Sequence, residues 1–181
     1  LLERFVDNPS LAKMYPQSPK QNDDYELLII TPSQFESGFQ DLIDLYTTRG
    51  IKTELMTKES INTTGTGQDL QEKIRNCITD EYQNHNVQFV LLGGDVEHIP
   101  YRGFYCYVQS GSGYEDSNIP ADLYYSALDG SWNDDGDNRW GEPGEDDLLP
   151  EIAVARFPFS TASELANLIH KSTMYQNSPV L

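Results

Sequence analysis

The chain has 181 residues, 38% hydrophobic and 11% aromatic, which suffices for one sizeable core and excludes a disordered polypeptide. Its formal net charge of −17 excludes nucleic acid and anionic membrane as partners, since both are held through Lys and Arg. No apolar run approaches the roughly 18 residues of a membrane span, and no basic leader precedes an apolar stretch, so neither a span nor a signal peptide is expected in these residues.

Residues 1–24 contain three Pro and little periodicity, and read as a lead-in draped over the domain that occupies 25–181. "YELLIIT", Tyr25–Thr31, is a continuous apolar run of the kind buried on both faces of a parallel sheet. Pro32 and Ser33 then open a helix whose apolar face is Phe35, Phe39, Leu42, Ile43 and Tyr46, and Gly50 stops it after Arg49. "IKTELMT", Ile51–Thr57, is a second strand, and "TTGTG" is a loop. Leu70, Ile74, Cys77 and Ile78 line a second helix over about Asp69 to Gln83, and "VQFVLLG", Val87–Gly93, is a third and most hydrophobic strand.

Strand, helix, strand, helix, strand predicts a three-layer α/β/α fold with a mainly parallel sheet. The rhythm breaks over about 95–150, an inserted β-hairpin and acidic loop region. There "FYCYV" and "DLYYSAL" are the strands expected to pair, with "QSGSGYEDSNIPA" as their connection. "EIAVARF", Glu151–Phe157, resumes the sheet. Ser160 or Thr161 caps a last helix that turns Leu165, Leu168, Ile169 and Tyr175 inward.

The acidity is concentrated. From Glu115 to Glu151 there are twelve Asp and Glu against one basic residue, Arg139. Within "LDGSWNDDGDNRWGE" the frame starting at Ser131 carries oxygen-bearing side chains at Ser131, Asn133 and Asp135, then Gly136, then Glu142 at its twelfth position. That is the spacing of a calcium loop with Ser in place of the usual first Asp. Asp129 can supply the carboxylate Ser131 lacks, and Asp137 can add a side-chain or carbonyl oxygen. The flanks do not read as helices, so the expectation is a calcium loop within a sheet connection rather than an EF-hand. The competing reading is a solvated turn rich in Asn and Asp.

Other chemistry is sparse. Cys77 and Cys106 are too few for a disulfide framework and read as packed thiols. "LLGGD" ends a strand with two Gly but lacks either phosphate-loop spacing. His98 and Cys106 are eight residues apart, in settings that suggest no nucleophile and base.

Taken in order, "FVLLGGDVEHIP", "IPADLYYSALDGSWNDDGD" and "DDLLPEIAVARFPFSTASEL", with "YELLIITPSQF" and "LYTTRGIKTELM" upstream, resemble the gingipain-type cysteine peptidases of bacteria over roughly Asp24 to Gln176. The resemblance implies the first of two subdomains of a caspase-like catalytic region. The family's catalytic His-Gly and its later Cys motif are not found in this sequence, so no catalytic residue is carried over. It further implies a secreted or cell-surface bacterial parent, a second subdomain as partner, and a protein or peptide substrate. Counting back from Arg156, it places Asp147 as the acidic floor of a pocket for a basic P1 side chain. The alternative is a stand-alone calcium-dependent surface binding module without peptidase activity.

Overall fold

The computed structural model describes residues 24–178. Its centre is a sheet of β1 (Leu27–Thr31), β2 (Thr53–Thr57), β3 (Phe89–Gly93) and β6 (Ala153–Phe157), in the order β2-β1-β3-β6 and parallel throughout. All four expected strands therefore lie in one sheet. Leu28 pairs with Val90, and Val90 with Val154, so β1 and β3 have a neighbour on each side.

Burial on both faces explains the unbroken apolar run of β1. Leu27 and Ile29 join Phe35, Phe39, Leu42, Phe159, Leu165 and Ile169 beneath α1 (Gln40–Thr48) and α4 (Ala162–Asn177). Leu28 and Ile30 point the other way, into a core with Ile61, Ile74, Ile78, Tyr125 and Trp132 beneath α2 (Lys58–Thr64) and α3 (Leu70–His85). The result is a three-layer α/β/α arrangement. At the end of β3, a Cβ on Gly93 would come within 2.6 Å of the Phe39 ring, so the close approach of this ring to the sheet requires glycine.

Caps set the helix boundaries. The Thr57 side chain accepts from Ser60 N, and Asp69 accepts from Glu72 N at 2.8 Å. Asn86 closes α3 in the left-handed conformation. Thr161, rather than Ser160, caps α4, in a reciprocal box with Glu164.

Several local expectations differ from the structure. The helix expected from Ser33 begins as a 3-10 segment, Ser33–Phe39, before α1. The seven residues of α2 are an additional helix between β2 and the Gly65–Gly67 loop. "DLYYSAL" is no strand: Leu123–Tyr125 form a 3-10 turn, and the carbonyl of Leu123 receives the amides of Ser126 and Ala127. The hairpin is instead β4 (Arg102–Val108) with β5 (Tyr114–Ala121), drawn from the segment expected to be its loop. β5 is exposed along most of its length, so it has no buried face to impose apolar alternation. Tyr175 points outward at 70% exposure. The lead-in expected over 1–24 lies, apart from Asp24, outside the described residues.

Three arginines fasten the irregular insertion to this scaffold. Arg156 on β6 forks onto Asp122 with two bonds of 2.7 Å, and its remaining nitrogen reaches the carbonyls of Gly94 (2.9 Å) and Ile99 (2.7 Å). Arg102 at the start of β4 forks onto Asp69, the α3 cap, with two bonds of 2.8 Å. Burial alone would raise the Asp69 carboxyl, but the bonds from Arg102 and from the Glu72 amide more than reverse it, leaving it below the usual carboxylate range. Arg75 on α3 donates to the carbonyls of Ala127 and Gly130. Removing one partner of a largely buried ion pair strands the other, so Arg156→Ala should cost about 3 kcal/mol in urea unfolding. A loss under about 1 kcal/mol would show that the Arg156 fork is dispensable.

Candidate metal centre

The acidic insertion is anchored by its tryptophans. Trp132 is buried, stacks on Phe104 with ring centroids 4.3 Å apart, and sits at φ 65°, a left-handed conformation that a bulky residue adopts only when packing holds it there. The Trp132 carbonyl receives Gly141 N at 2.9 Å, and the Trp140 carbonyl receives Tyr105 N of β4 at 2.8 Å. The segment between these anchors is thereby closed into a loop.

Inside it, Asx turns follow one another. Asp135 Oδ1 accepts from Asp137 N at 3.0 Å, and Asp137 Oδ1 from Arg139 N at 2.8 Å. Gly136 takes φ 73° at the tightest point. Asp135, Asp137 and Glu142 consequently each offer an oxygen within 4.8 Å of the others. Two oxygens about 2.4 Å from a shared cation are at most about 4.8 Å apart, a limit that these pairwise separations meet.

Two other expected ligands are engaged elsewhere. The Ser131 hydroxyl donates to Asp134, and Asn133 Oδ1 accepts from Asn138 N at 3.3 Å. Asp129 lies outside this group altogether. It belongs to a second one with Asp147 and Glu151, again within 4.8 Å. Asp147 Oδ1 accepts from Leu149 N at 3.2 Å, whereas its buried Oδ2 has no hydrogen-bond partner among the described residues. Glu151, two residues ahead of β6, was not anticipated. Only its charge at the head of an apolar strand signals it in the sequence.

The electrostatics show crowding. Loss of hydration pushes the Glu142 carboxyl above its usual value against the pull of Arg139, and Asp137, Asp135 and Glu145 push it further. Arg139 pairs with Glu142 at 3.2 Å and with Glu115, and lies over the Tyr105 ring at 4.3 Å. Arg75 performs the corresponding service for the second group. Burial lowers its pKa, against the pull of Tyr124, Asp147, Asp129 and Glu151.

Among the described residues, no histidine partners either cysteine. Cys77 Sγ contacts Met56 Sδ at 3.6 Å, and burial, with help from Glu81 and Asp80, pushes its thiol up to about 12. Cys106 lies within β4 opposite Asp116. His98 packs edge-on against Phe35 with Nε2 3.3 Å from the Ser160 carbonyl, His85 stacks on Tyr25, and His170 is exposed on α4.

The model of peptidase family C25 matches residues 20–180. The chain belongs to peptidase family C25. It is 27% identical over 171 residues to gingipain R2 of Porphyromonas gingivalis (strain ATCC BAA-308 / W83), covering 94% of this chain and 19% of that protein. To gingipain R1 of Porphyromonas gingivalis it is 26% identical over 176 residues, covering 97% and 15%. The chain thus spans less than a fifth of the length of these relatives. The crystal structure of the Arg specific cysteine proteinase gingipain R shares the fold with a TM-score of 0.58 at 21% identity, over 88% of this chain and 30% of that one. The complex of Porphyromonas gingivalis RgpB pro- and mature domains does so with a TM-score of 0.57 at 22% identity, over 83% and 29%.

A raised folded-state pKa means that the cation-free fold gains from protonating Glu142 at low pH and loses that contribution as pH rises through the raised value. In EDTA at pH 7, Glu142→Gln should therefore melt at or above the wild-type temperature, and its advantage should shrink toward pH 4. A clearly lower melting temperature in EDTA at pH 7 would make Glu142 a structural ion-pair partner of Arg139 instead.

Proposed function

We propose that this chain is the first α/β subdomain of a secreted or surface-exposed gingipain-like cysteine endopeptidase. In this reading it forms one wall of the site for a protein or peptide substrate, while a second subdomain of the same polypeptide supplies the reacting His and Cys. The observation that carries the reading is the family match over residues 20–180 in a chain whose own cysteines have no histidine partner. The purified chain should accordingly leave arginyl and lysyl peptide amides intact. Hydrolysis abolished by Cys106→Ala or Cys77→Ala would contradict it.

Calcium is the cation proposed for Asp135, Asp137 and Glu142, with Asn133 and Ser131 turning inward to complete the oxygen shell, and for Asp129 beside Asp147 and Glu151. The number of carboxylates favours it, since calcium takes about six to eight oxygens whereas magnesium keeps its waters in a tighter octahedron. Asp147 has a second reading, as the carboxylate that receives a basic P1 side chain. Its buried, unpartnered Oδ2 supports a cationic neighbour of either kind. The metal reading is stronger, because Glu151 places the group by the amino end of β6, whereas α/β proteins bind substrates at the carboxyl edge.

Binding to the folded state alone stabilises by about 2.7 kcal/mol at a hundredfold excess over Kd. Millimolar calcium should raise the melting temperature, magnesium much less, and Asp135→Ala or Glu142→Ala should each remove most of the rise. A melting temperature indifferent to both calcium and EDTA would make the loop a solvated turn. The rival reading, a calcium-dependent binding module without peptidase activity, shares this calcium response. It differs in that co-expression with the rest of the parent polypeptide would then yield no peptide hydrolysis.

A further inference from the structure

The sheet face beneath α1 and α4 is covered unevenly. Phe39, Leu42, Phe159, Leu165 and Ile169 pack with Ile29 and Leu91. One row nearer the amino ends of the strands, Leu27 pairs with Phe89 and Phe89 with Ala153, and there the cover stops short. Phe89 is 50% exposed, and Ala153 and Ala155 of β6 are exposed as well. A hollow of about 350 Å³ stands over this floor, with Tyr46, Ile51 and Ser172 in its walls. The nearby helix ends bond to one another instead of closing it: Arg49 donates to Asn177 at 2.7 Å, and Gln176 to the Tyr46 hydroxyl at 3.2 Å. An aromatic ring half in water on a row of apolar side chains marks a surface built to be covered.

The chain itself supplies an occupant. Residues 1–23 join the described fold at Asp24, three positions ahead of Leu27 on the floor. The amides of Glu26 and Leu27 take the Lys52 carbonyl at 3.0 and 3.2 Å, so the point of entry lies beside Ile51 in the wall. Asp24 and Ile51 also line one adjoining hollow. Residues 16–23, "PQSPKQND", hold no aliphatic or aromatic side chain other than two prolines, and directly before them stand Leu11, Met14 and Tyr15 in "LAKMY". Eight extended residues span about 26 Å, while the floor from Leu27 to Ala153 is two strand spacings wide, about 10 Å. The three apolar side chains are therefore within reach of the whole hollow.

We propose that Leu11, Met14 and Tyr15 seat in this hollow, so that the segment ahead of β1 folds back and covers Phe89 and the bare face of β6. This covering belongs to the subdomain itself, whatever reaction its parent performs. Two features favour it over a second copy of the chain. Attachment at Asp24 holds the three side chains at an effective concentration on the order of millimolar, with no diffusional encounter to wait for. Charge points the same way. Residues 1–23 carry Arg4, Lys13 and Lys20 against Glu3, Asp7 and Asp23, so the whole net charge of −17 resides in the remainder. A neutral segment approaches that acidic body without repulsion, whereas a second copy brings an equal charge of the same sign.

The test uses the intact chain in calcium, with NMR labels in the methyl groups of Met, Leu, Ile and Ala. Nuclear Overhauser contacts should join the methyls of Met14 and Leu11 to those of Ala153, Ala155, Leu27 or Ile51. Leu11→Ser, Met14→Ser and Tyr15→Ser combined should shift the Ala153 and Ala155 methyl resonances and raise the binding of an apolar fluorescent dye. Ala153→Trp fills the hollow from its exposed floor and should abolish the contacts in a folded chain. Absence of the contacts in the wild type overturns the proposal, as do contacts that survive Ala153→Trp unchanged. Ala153 and Ala155 shifts that follow protein concentration, without contacts from Met14, make a second copy the occupant and overturn it too. Shifts that arise only on co-expression with the rest of the parent polypeptide do the same in favour of the second subdomain.

Discussion

Arg156 is the residue on which the two unlike parts of this molecule depend. It stands on the last strand of a regular parallel sheet, in register with Leu92, yet its guanidinium joins the turn after β3 to Asp122 at the exit of the hairpin. A lysine there would offer one point charge in place of a planar fork and could not hold Asp122 and the Gly94 and Ile99 carbonyls together. Arg75 and Arg102 repeat the device at Ala127 and at Asp69. Tyr125 and Trp132 already sink the insertion into the core shared with Ile74 and Ile78, but its backbone follows no regular ladder that would pair its polar groups with the scaffold. Buried guanidinium groups, with their many donors, satisfy the loose carbonyls and carboxylates that an irregular segment brings inside.

The insertion reverses the usual relation between charge and folding. Its carboxylates are brought together by Asx turns and by the Trp132 and Trp140 anchors, so local backbone chemistry builds a repulsive group instead of avoiding one. Arg139 answers part of that charge from a position shared with Glu115, and Arg75 answers part of the other group from beneath. Two arginines do not balance six carboxylates in the two groups. A divalent cation is the compact way to do so, because it converts each carboxylate from a repelling neighbour into a ligand.

What could be read from the sequence divides along physical lines. The sheet was legible because β1 and β3 are the central strands, covered on both faces, which leaves an unbroken apolar run in each, followed by Pro32 after β1 and by Gly94 after β3. The long helices were legible from spacing, since Ile74 and Ile78 on α3 and Leu165 and Ile169 on α4 face the core. The hairpin was not. β5 is exposed on most positions, so nothing in its composition separates it from a loop, while the aromatic run at Leu123–Tyr125 looks like a strand although tertiary burial holds it as a turn. The grouping of the carboxylates was half legible. The spacing of Asp135, Asp137 and Glu142 is local and survives folding, whereas the partnership of Asp129 with Asp147 and Glu151 depends on chain segments about twenty residues apart.

The carboxyl edge of the sheet bears on where chemistry can reside. That edge is where an α/β domain offers polar groups to a ligand. Here those groups bind one another. The Ser160 hydroxyl donates to Asp95, His98 Nε2 faces the Ser160 carbonyl, and Lys58 donates to the His98 carbonyl at 2.9 Å. Arg156 takes the carbonyls of Gly94 and Ile99. The hydrogen bond from Ser160 is the main reason the Asp95 carboxyl lies below the usual carboxylate range. A group that must accept a proton in a reaction needs a pKa near the working pH and a free face toward the substrate. Asp95 is shifted the wrong way for a base at neutral pH, and His98 is wedged against Phe35. At this edge Asp95, His98, Ser160 and Arg156 are thus engaged with one another and with nearby carbonyls, in keeping with the proposed reading in which the reacting pair comes from a second subdomain.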